Sequence, residues 1–195
     1  MLVAPSLLFL VFLVSFGTLN AASECGEIPI TEWSGTESRR KQPLKSPIDL
    51  VVIQHTVSND CFTDEECLLS VNSLRQHHML LAGFKDLGYS FVAGGNGKIY
   101  EGAGWNHIGA HTLHYNNISI GIGFIGDFRE KLPTQQALQA VQDFLACGVE
   151  NNLLTEDYHV VGHQQLINTL SPGAVLQSEI ESWPHWLDNA RKVLG

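Results

Sequence analysis

Leu50-Val51-Val52-Ile53, continued by Gln54-His55-Thr56, is a β-branched, apolar run without polar alternation. A strand with one face in water alternates, whereas a strand without alternation is covered on both faces, which requires layers above and below a sheet. The run is therefore expected to be a central strand. The flanking segments supply the layers. Thr63 and Glu66 form an S/T-x-x-E capping box, and Cys67, Val71, Leu74, His78 and Leu81 follow at helical intervals, which puts His78 on the inward face of a helix. Gly83 and Gly88 close that helix. Tyr89 to Ala93 alternates, Gly94-Gly95-Asn96-Gly97 turns, and Lys98 to Glu101 resumes, the pattern of a β-hairpin. Ser119 to Ile125 sets Ile120, Ile122 and Phe124 against glycine and serine, a strand whose other face meets something closely. Pro133-Thr134 opens a helix with Val141, Phe144, Leu145 and Gly148 on one stripe, ended by Asn151-Asn152. Tyr158 to His163 reads as a further strand. Ser171-Pro172 places a cap before a first-turn proline, opening a helix towards Glu181. The expected fold is α/β: a single domain with a central mixed β-sheet flanked by helices.

From Ile28 to Pro47 the chain is rich in Pro, Ser and charge, with Arg39-Arg40-Lys41 in the middle, and reads as an irregular, solvated arm. The first charged residue is Glu24, after an apolar stretch from Leu7 to Phe16 that ends near the small-residue run Asn20-Ala21-Ala22-Ser23. That stretch is too short to span a bilayer, and no second one follows. Residues 1–23 are expected to be a signal peptide, and 24–195 one secreted, extracellular domain with its arm at about 24–47 and no membrane partner. About 170 residues remain, enough for one core. The leader carries no charge, so the mature chain keeps the net charge of -9, which argues against nucleic acid and other polyanions held through charge. Binding must then be local and shape-driven. An even set of cysteines in a secreted chain, Cys25, Cys61, Cys67 and Cys147, reads as two disulfides in any of three pairings. Cys61 with Cys67 would staple a short loop, and Cys25 with Cys147 would then tie the arm to a helix. Asn117-Ile118-Ser119 is a glycosylation sequon.

Nine histidines invite a metal, but no H-E-x-x-H, close H-x-H or C-x-x-C spacing supports one. His55 and His163 each end an expected strand, where side chains converge on clefts, while His185 between Pro184 and Trp186 reads as structural.

Beyond spacing, a series of segments runs in order along the chain: Val52-Ile53-Gln54-His55-Thr56, Leu87-Gly88-Tyr89-Ser90-Phe91, Tyr100-Glu101-Gly102-Ala103-Gly104-Trp105, Gly109-Ala110-His111, Val161-Gly162-His163, Thr169-Leu170-Ser171-Pro172-Gly173 and Trp183-Pro184-His185. Together they resemble the peptidoglycan recognition proteins, the short secreted insect type most of all, from about Trp33 to Trp186. The resemblance implies the amidase type 2 fold. In the family's amidases zinc is held by a His at the position of Gln54, by the His matching His163 and by a Cys at the position of Ser171. One ligand of three remains, and an amide and an alcohol replace neither an imidazole's basicity nor a thiolate's charge. Without zinc no bound water is acidified and no Lewis acid polarises the scissile carbonyl. The expectation is therefore no catalytic residue, no metal, no cofactor and no amidase activity. The alternatives are an amidase with an atypical zinc site recruiting His55 beside His163, and metal-free hydrolysis by Ser171.

The resemblance also implies a groove for bacterial muropeptides, with contacts at His55, Thr56, His78, Tyr89, His111 and Asn116. Gly83, Phe84, Ala103, Trp105, His163, Thr169 and Ser171 complete the expected ligand-binding set. Imidazoles and aromatic faces pack on sugars, and hydroxyl, amide and imidazole groups hydrogen-bond N-acetyl and stem-peptide amides. Tyr89 and Thr169 match positions that assist the amidase reaction; here Tyr89 is expected to bind ligand. Relatives favouring diaminopimelate often carry Gly-Trp where this chain has Gly83-Phe84 and Arg at Ala103, and lysine-type binders often carry Asn-Phe. Ala103 cannot pair with a second stem carboxylate, which tilts the expectation to lysine-type peptidoglycan. The partners implied are peptidoglycan and extracellular immune-signalling proteins upstream of a protease cascade.

Overall fold

The computed structural model describes residues 24–40 and 42–190. The unalternating run becomes β1 (Ile48–His55), hydrogen-bonded to a strand on either side. Around it the chain forms α1 (Ile30–Ser34), α2 (Asp64–Leu80), β2 (Phe91–Ala93), β3 (Ile99–Glu101), β4 (Ser119–Phe124), α3 (Gln135–Glu150), β5 (Leu154–Gly162) and α4 (Ala174–Ile180). The five strands make one sheet in the order β3-β2-β4-β1-β5. β1 runs parallel to β4 and β5, β2 runs parallel to β4, and the hairpin pair β2 and β3 is antiparallel. This is the single α/β domain with a mixed sheet that the sequence pattern indicates.

Burial explains why β1 does not alternate. Val51 and Ile53 join Val141, Phe144 and Leu145 of α3 and Leu176 and Ile180 of α4 in the main core. Leu50 and Val52, pointing the other way, pack with Val161, Leu166 and Ala190. Each such aliphatic side chain contributes about 1.5–3 kcal/mol by leaving water. On β4 the two faces differ: Ile120, Ile122 and Phe124 enter the main core, while Ser119, Gly121 and Gly123 face the opposite side, which holds the site described below.

α2 starts at the capping box, Thr63 accepting from Glu66 N and the Glu66 carboxylate from Thr63 N. Its buried stripe is shorter than the sequence implies. Cys67 and Val71 are buried, but the helix stops at Leu80 and Leu81 is 77% exposed. Gly83, at φ +71°, makes the turn that follows.

The arm is a correction. Far from being a solvated loop, it contains α1, buries Ile30, Trp33, Arg40 and Leu44, and pairs Ile28 with Tyr100 and Pro43 with His107. Asp86, 1% exposed, anchors it. Its carboxylate accepts from Arg75 Nε at 2.6 Å and Nη2 at 3.0 Å and from the backbone N–H of Arg39 and of Leu87. Arg40 donates to the carbonyls of Asp86 and Leu87. The residues read as a signal peptide, 1–23, and Lys41 lie outside the described residues.

Two disulfides form, Cys61–Cys67 and Cys25–Cys147. The second spans a separation of 122 residues, and closing such a loop removes about 5 kcal/mol of unfolded-state entropy. No described helix is long and apolar enough to cross a membrane.

Ser171 is also corrected. Gly173, at φ +97°, is the N-cap of α4, and the Ser171–Pro172 bond is cis. β5 pairs with β1 only as far as Gly162 opposite Ile53. The N–H of His55, just beyond, has no strand partner on that side and donates to Ser171 Oγ at 3.1 Å.

Candidate functional site

Parallel strands present their last side chains at one edge of a sheet, where α/β proteins bind ligands. Here β1 ends with Gln54 and His55, and β5 leads directly into His163. They open into a groove of about 330 Å³, lined by Gln54, His55, Thr56, Val57, His78, Phe84, Gly88, Tyr89, Ala110, His111, His163, Thr169, Leu170 and Ser171.

The groove floor rests on the glycine face of β4. A Cβ at Gly121 would lie 2.3 Å from His111 Cγ, and one at Gly123 would lie 3.0 Å from the Tyr89 ring. Those two rings lie flat on the strand because it carries no side chains there. Gln54, 1% exposed, ties the floor together by donating from Nε2 to His111 O at 2.9 Å and to Thr112 Oγ1 at 3.4 Å. Thr112 Oγ1 is 3.0 Å from His111 Nδ1. Asn116 holds the same loop from outside, its Oδ1 accepting from the N–H of His111 and of Thr112.

One wall is the end of α2. His78 Nδ1 accepts from Gly88 N at 2.9 Å, and its ring contacts Phe84 and Tyr89 at centroid distances of 5.2 and 5.6 Å. Tyr89 Oη donates to His55 O at 3.3 Å. The opposite wall is the segment after β5, where Thr169 Oγ1 accepts from Ser171 N. Thr56 Oγ1 shares a hydrogen bond with Ser58 and accepts from Gly126 N.

Burial keeps this groove neutral. It lowers His78 to about 4, with His77 and Arg40 adding to the effect, and His111 to about 3 with help from His163. It lowers His163 to about 4, and pushes the Tyr89 phenol up to about 12. His55 is lowered by burial too, opposed by Asp127 at 3.8 Å from Nδ1. Among the described residues, four buried polar atoms of the lining have no hydrogen-bond partner: Gln54 Oε1, His111 Nε2 and both ring nitrogens of His163.

A family profile described as N-acetylmuramoyl-L-alanine amidase matches residues 44–174. A peptidoglycan recognition protein of Trichoplusia ni is 47% identical over 180 residues, 92% of this chain and 99% of that one. The chain belongs to the peptidoglycan recognition protein family. Peptidoglycan-recognition protein SA of Drosophila melanogaster is 44% identical, covering 81% of this chain and 78% of its own. Among solved structures, the recognition protein SA of Apis mellifera superposes with a TM-score of 0.81 at 42% identity, over 83% of this chain and 98% of that one. Recognition protein LE, solved in complex with tracheal cytotoxin, a monomeric diaminopimelic acid-type peptidoglycan, gives 0.82 at 38% identity over 85% and 98%.

The residues at the recognition-protein family's zinc positions do not fit the ion. Gln54 turns its amide nitrogen, not a lone pair, to its neighbours, and Ser171 Oγ already accepts the His55 N–H. His163 is the one imidazole of the set. The rival ligand His55 spends Nδ1 on the N–H of Phe128 at 3.2 Å. Among the described residues no group of three or more His, Cys, Asp or Glu is placed to hold a metal. The Ser171 hydroxyl accepts the His55 backbone N–H, and no imidazole is its hydrogen-bond partner among the described residues.

Of the expected contacts, His55, Thr56, His78, Phe84, Tyr89, His111, His163, Thr169 and Ser171 line the groove. Gly83 sets the wall turn, and Asn116 acts through the loop. Ala103, 1% exposed, donates its N–H to Tyr89 O beneath the wall. Trp105 stands in the core, packed on Phe91 and Phe144 at 4.9 Å, and does not reach the groove. Sequence reasoning missed Gln54 as a strut, Thr112 as its partner, and Val57 and Leu170 as rim. Their roles depend on contacts that join distant segments, and no local pattern marks them.

Proposed function

We propose that this chain is a secreted immune recognition protein that holds bacterial muropeptides in the groove, does not cleave them, and signals through extracellular partner proteins. The observation that carries this reading is one groove whose floor is shaped for binding while its metal positions hold Gln54 and Ser171. Its neutral imidazoles, Tyr89 and the half-open Phe84 suit N-acetyl sugars and peptide amides. Family membership and the tracheal cytotoxin complex of recognition protein LE support the ligand class. We also propose residues 1–23 as the leader and 24–195 as the recognition domain, and a preference for lysine-type stems. Ala103, buried, offers no guanidinium for a second stem carboxylate, and the buried Arg40 and Arg75 are committed to Asp86 and its surroundings.

The test is the zinc content of the purified protein, measured with its binding to lysine-type and diaminopimelate-type polymer and the peptide it releases from each. Zinc near zero, polymer bound and no peptide released is the expected result, with the lysine-type polymer bound more tightly. Stoichiometric zinc with released peptide would make the chain an amidase with a rebuilt site.

A further inference from the structure

Two of the groove imidazoles have a donor aimed at Nδ1. For His78 it is the N–H of Gly88 at 2.9 Å, and for His55 the N–H of Phe128 at 3.2 Å. A backbone N–H only donates, so in each ring Nδ1 is the acceptor and the proton sits on Nε2. Asp127 competes for His55 Nδ1, but at 3.8 Å it is beyond hydrogen-bond range, and both its oxygens are engaged by Arg129.

His111 is not fixed in this way. The carbonyl of His111 accepts only, which orients the Gln54 amide with Nε2 towards it and towards Thr112 Oγ1. Thr112 Oγ1 keeps a second lone pair, so its 3.0 Å contact with His111 Nδ1 fits either tautomer, and the Ser119 carbonyl, which only accepts, also faces the ring. Among the described residues, neither nitrogen of His163 has a partner.

We propose that His55 and His78 are locked in the Nε2–H tautomer, so that the groove meets its ligand with uncharged N–H donors and selects carbonyl and carboxylate oxygens. Building on the peptidoglycan reading, this assigns those rings to the N-acetyl and stem-peptide carbonyls, and it disfavours ligands that offer ammonium groups to the same atoms.

The deciding measurement is a long-range proton–nitrogen correlation spectrum of the full secreted chain with isotope-labelled histidine at neutral pH. The expected result is the Nε2–H pattern for His55 and His78, with His163 averaging between tautomers as the internal control. A Nδ1–H or averaged pattern for His55 or His78 would overturn the proposal. Added muramyl tripeptide should shift the Nε2 resonances of both rings. Binding seen by calorimetry with those resonances unmoved also overturns it. Failure to bind any muropeptide instead counts against the peptidoglycan reading, and the free spectrum still decides the tautomers. His78→Phe, which keeps the aromatic contacts but removes the donor, should weaken binding roughly tenfold; unchanged affinity would refute the role of that ring.

Discussion

Gly121→Ala tests the floor of the groove with a single methyl group. The new Cβ would lie 2.3 Å from His111 Cγ, 2.5 Å from Nδ1 and 2.8 Å from Cδ2. Carbon atoms rest at about 3.5–4.0 Å, so the ring must retreat by roughly 1.2 Å or more. It cannot slide sideways cheaply, because Gly109 lies against Cδ2 of the same ring. Retreat breaks the contact with Thr112 and loosens the Gln54 tie. Overpacking costs about 1–3 kcal/mol and a lost hydrogen bond about 1 more, so a loss of about 2–4 kcal/mol is expected. Gly123→Ala is the matched control, since its Cβ would sit 3.0–3.1 Å from the Tyr89 ring, which a shift of a few tenths of an ångström relieves for less than about 1 kcal/mol. Urea unfolding reads the stability, and calorimetry with a muropeptide reads the groove. In a double-mutant cycle, His111→Ala should absorb most of the cost of Gly121→Ala, giving a coupling of at least about 1 kcal/mol. A Gly121→Ala protein within about 0.5 kcal/mol of wild type, or additivity in the cycle, would refute the account of the floor.

Acid should weaken the fold through His78 and His111. Their folded pKa values, about 4 and about 3, lie below the unfolded value near 6.5. The stability they contribute is therefore complete above 6.5 and is lost as pH falls towards those values. The slope is up to about 1.4 kcal/mol per pH unit for each ring, less for the partly open His78; an unfolding midpoint that stays flat over that span would contradict it. Asp86→Asn leaves the buried Arg75 guanidinium without its counter-charge and should cost about 3–5 kcal/mol in denaturant unfolding, with a loss under about 1 kcal/mol counting against the network. Asn117 is exposed, whereas Asn116 turns inward to cap the His111 loop. Protein secreted from eukaryotic cells should lose mass on glycosidase treatment and Asn117→Gln should not; an unshifted wild type would refute the modification.

β1 was legible because burial on both faces erases polar alternation, and α2 because its capping box is written in adjacent residues. The glycine face of β4 was legible as a close approach, though not what approaches. The groove histidines were legible only through the ordered series of family segments, since rings from β1, α2, the loop after β3 and the end of β5 share no spacing. Arg40 looked like a solvated charge because burial of a cation depends on Asp86 and on carbonyls far away in the chain. Ser171 looked like a helix cap because Ser-Pro carries that signature. Its hydroxyl instead serves the end of β1, a demand set by where β5 stops pairing. Trp105 belongs to a segment whose neighbours form the wall, but its own side chain points into the core.

The Asp86 anchor has a mechanical consequence. The same carboxylate that gathers Arg39 and Arg75 also accepts from Leu87 N, one residue before Gly88, whose N–H fixes His78. The outer arm and the inner wall of the groove are thus two ends of one short lever. Withdrawing the Arg39 N–H would leave the carboxylate to Arg75 and Leu87, the donors on the groove's side of the anchor.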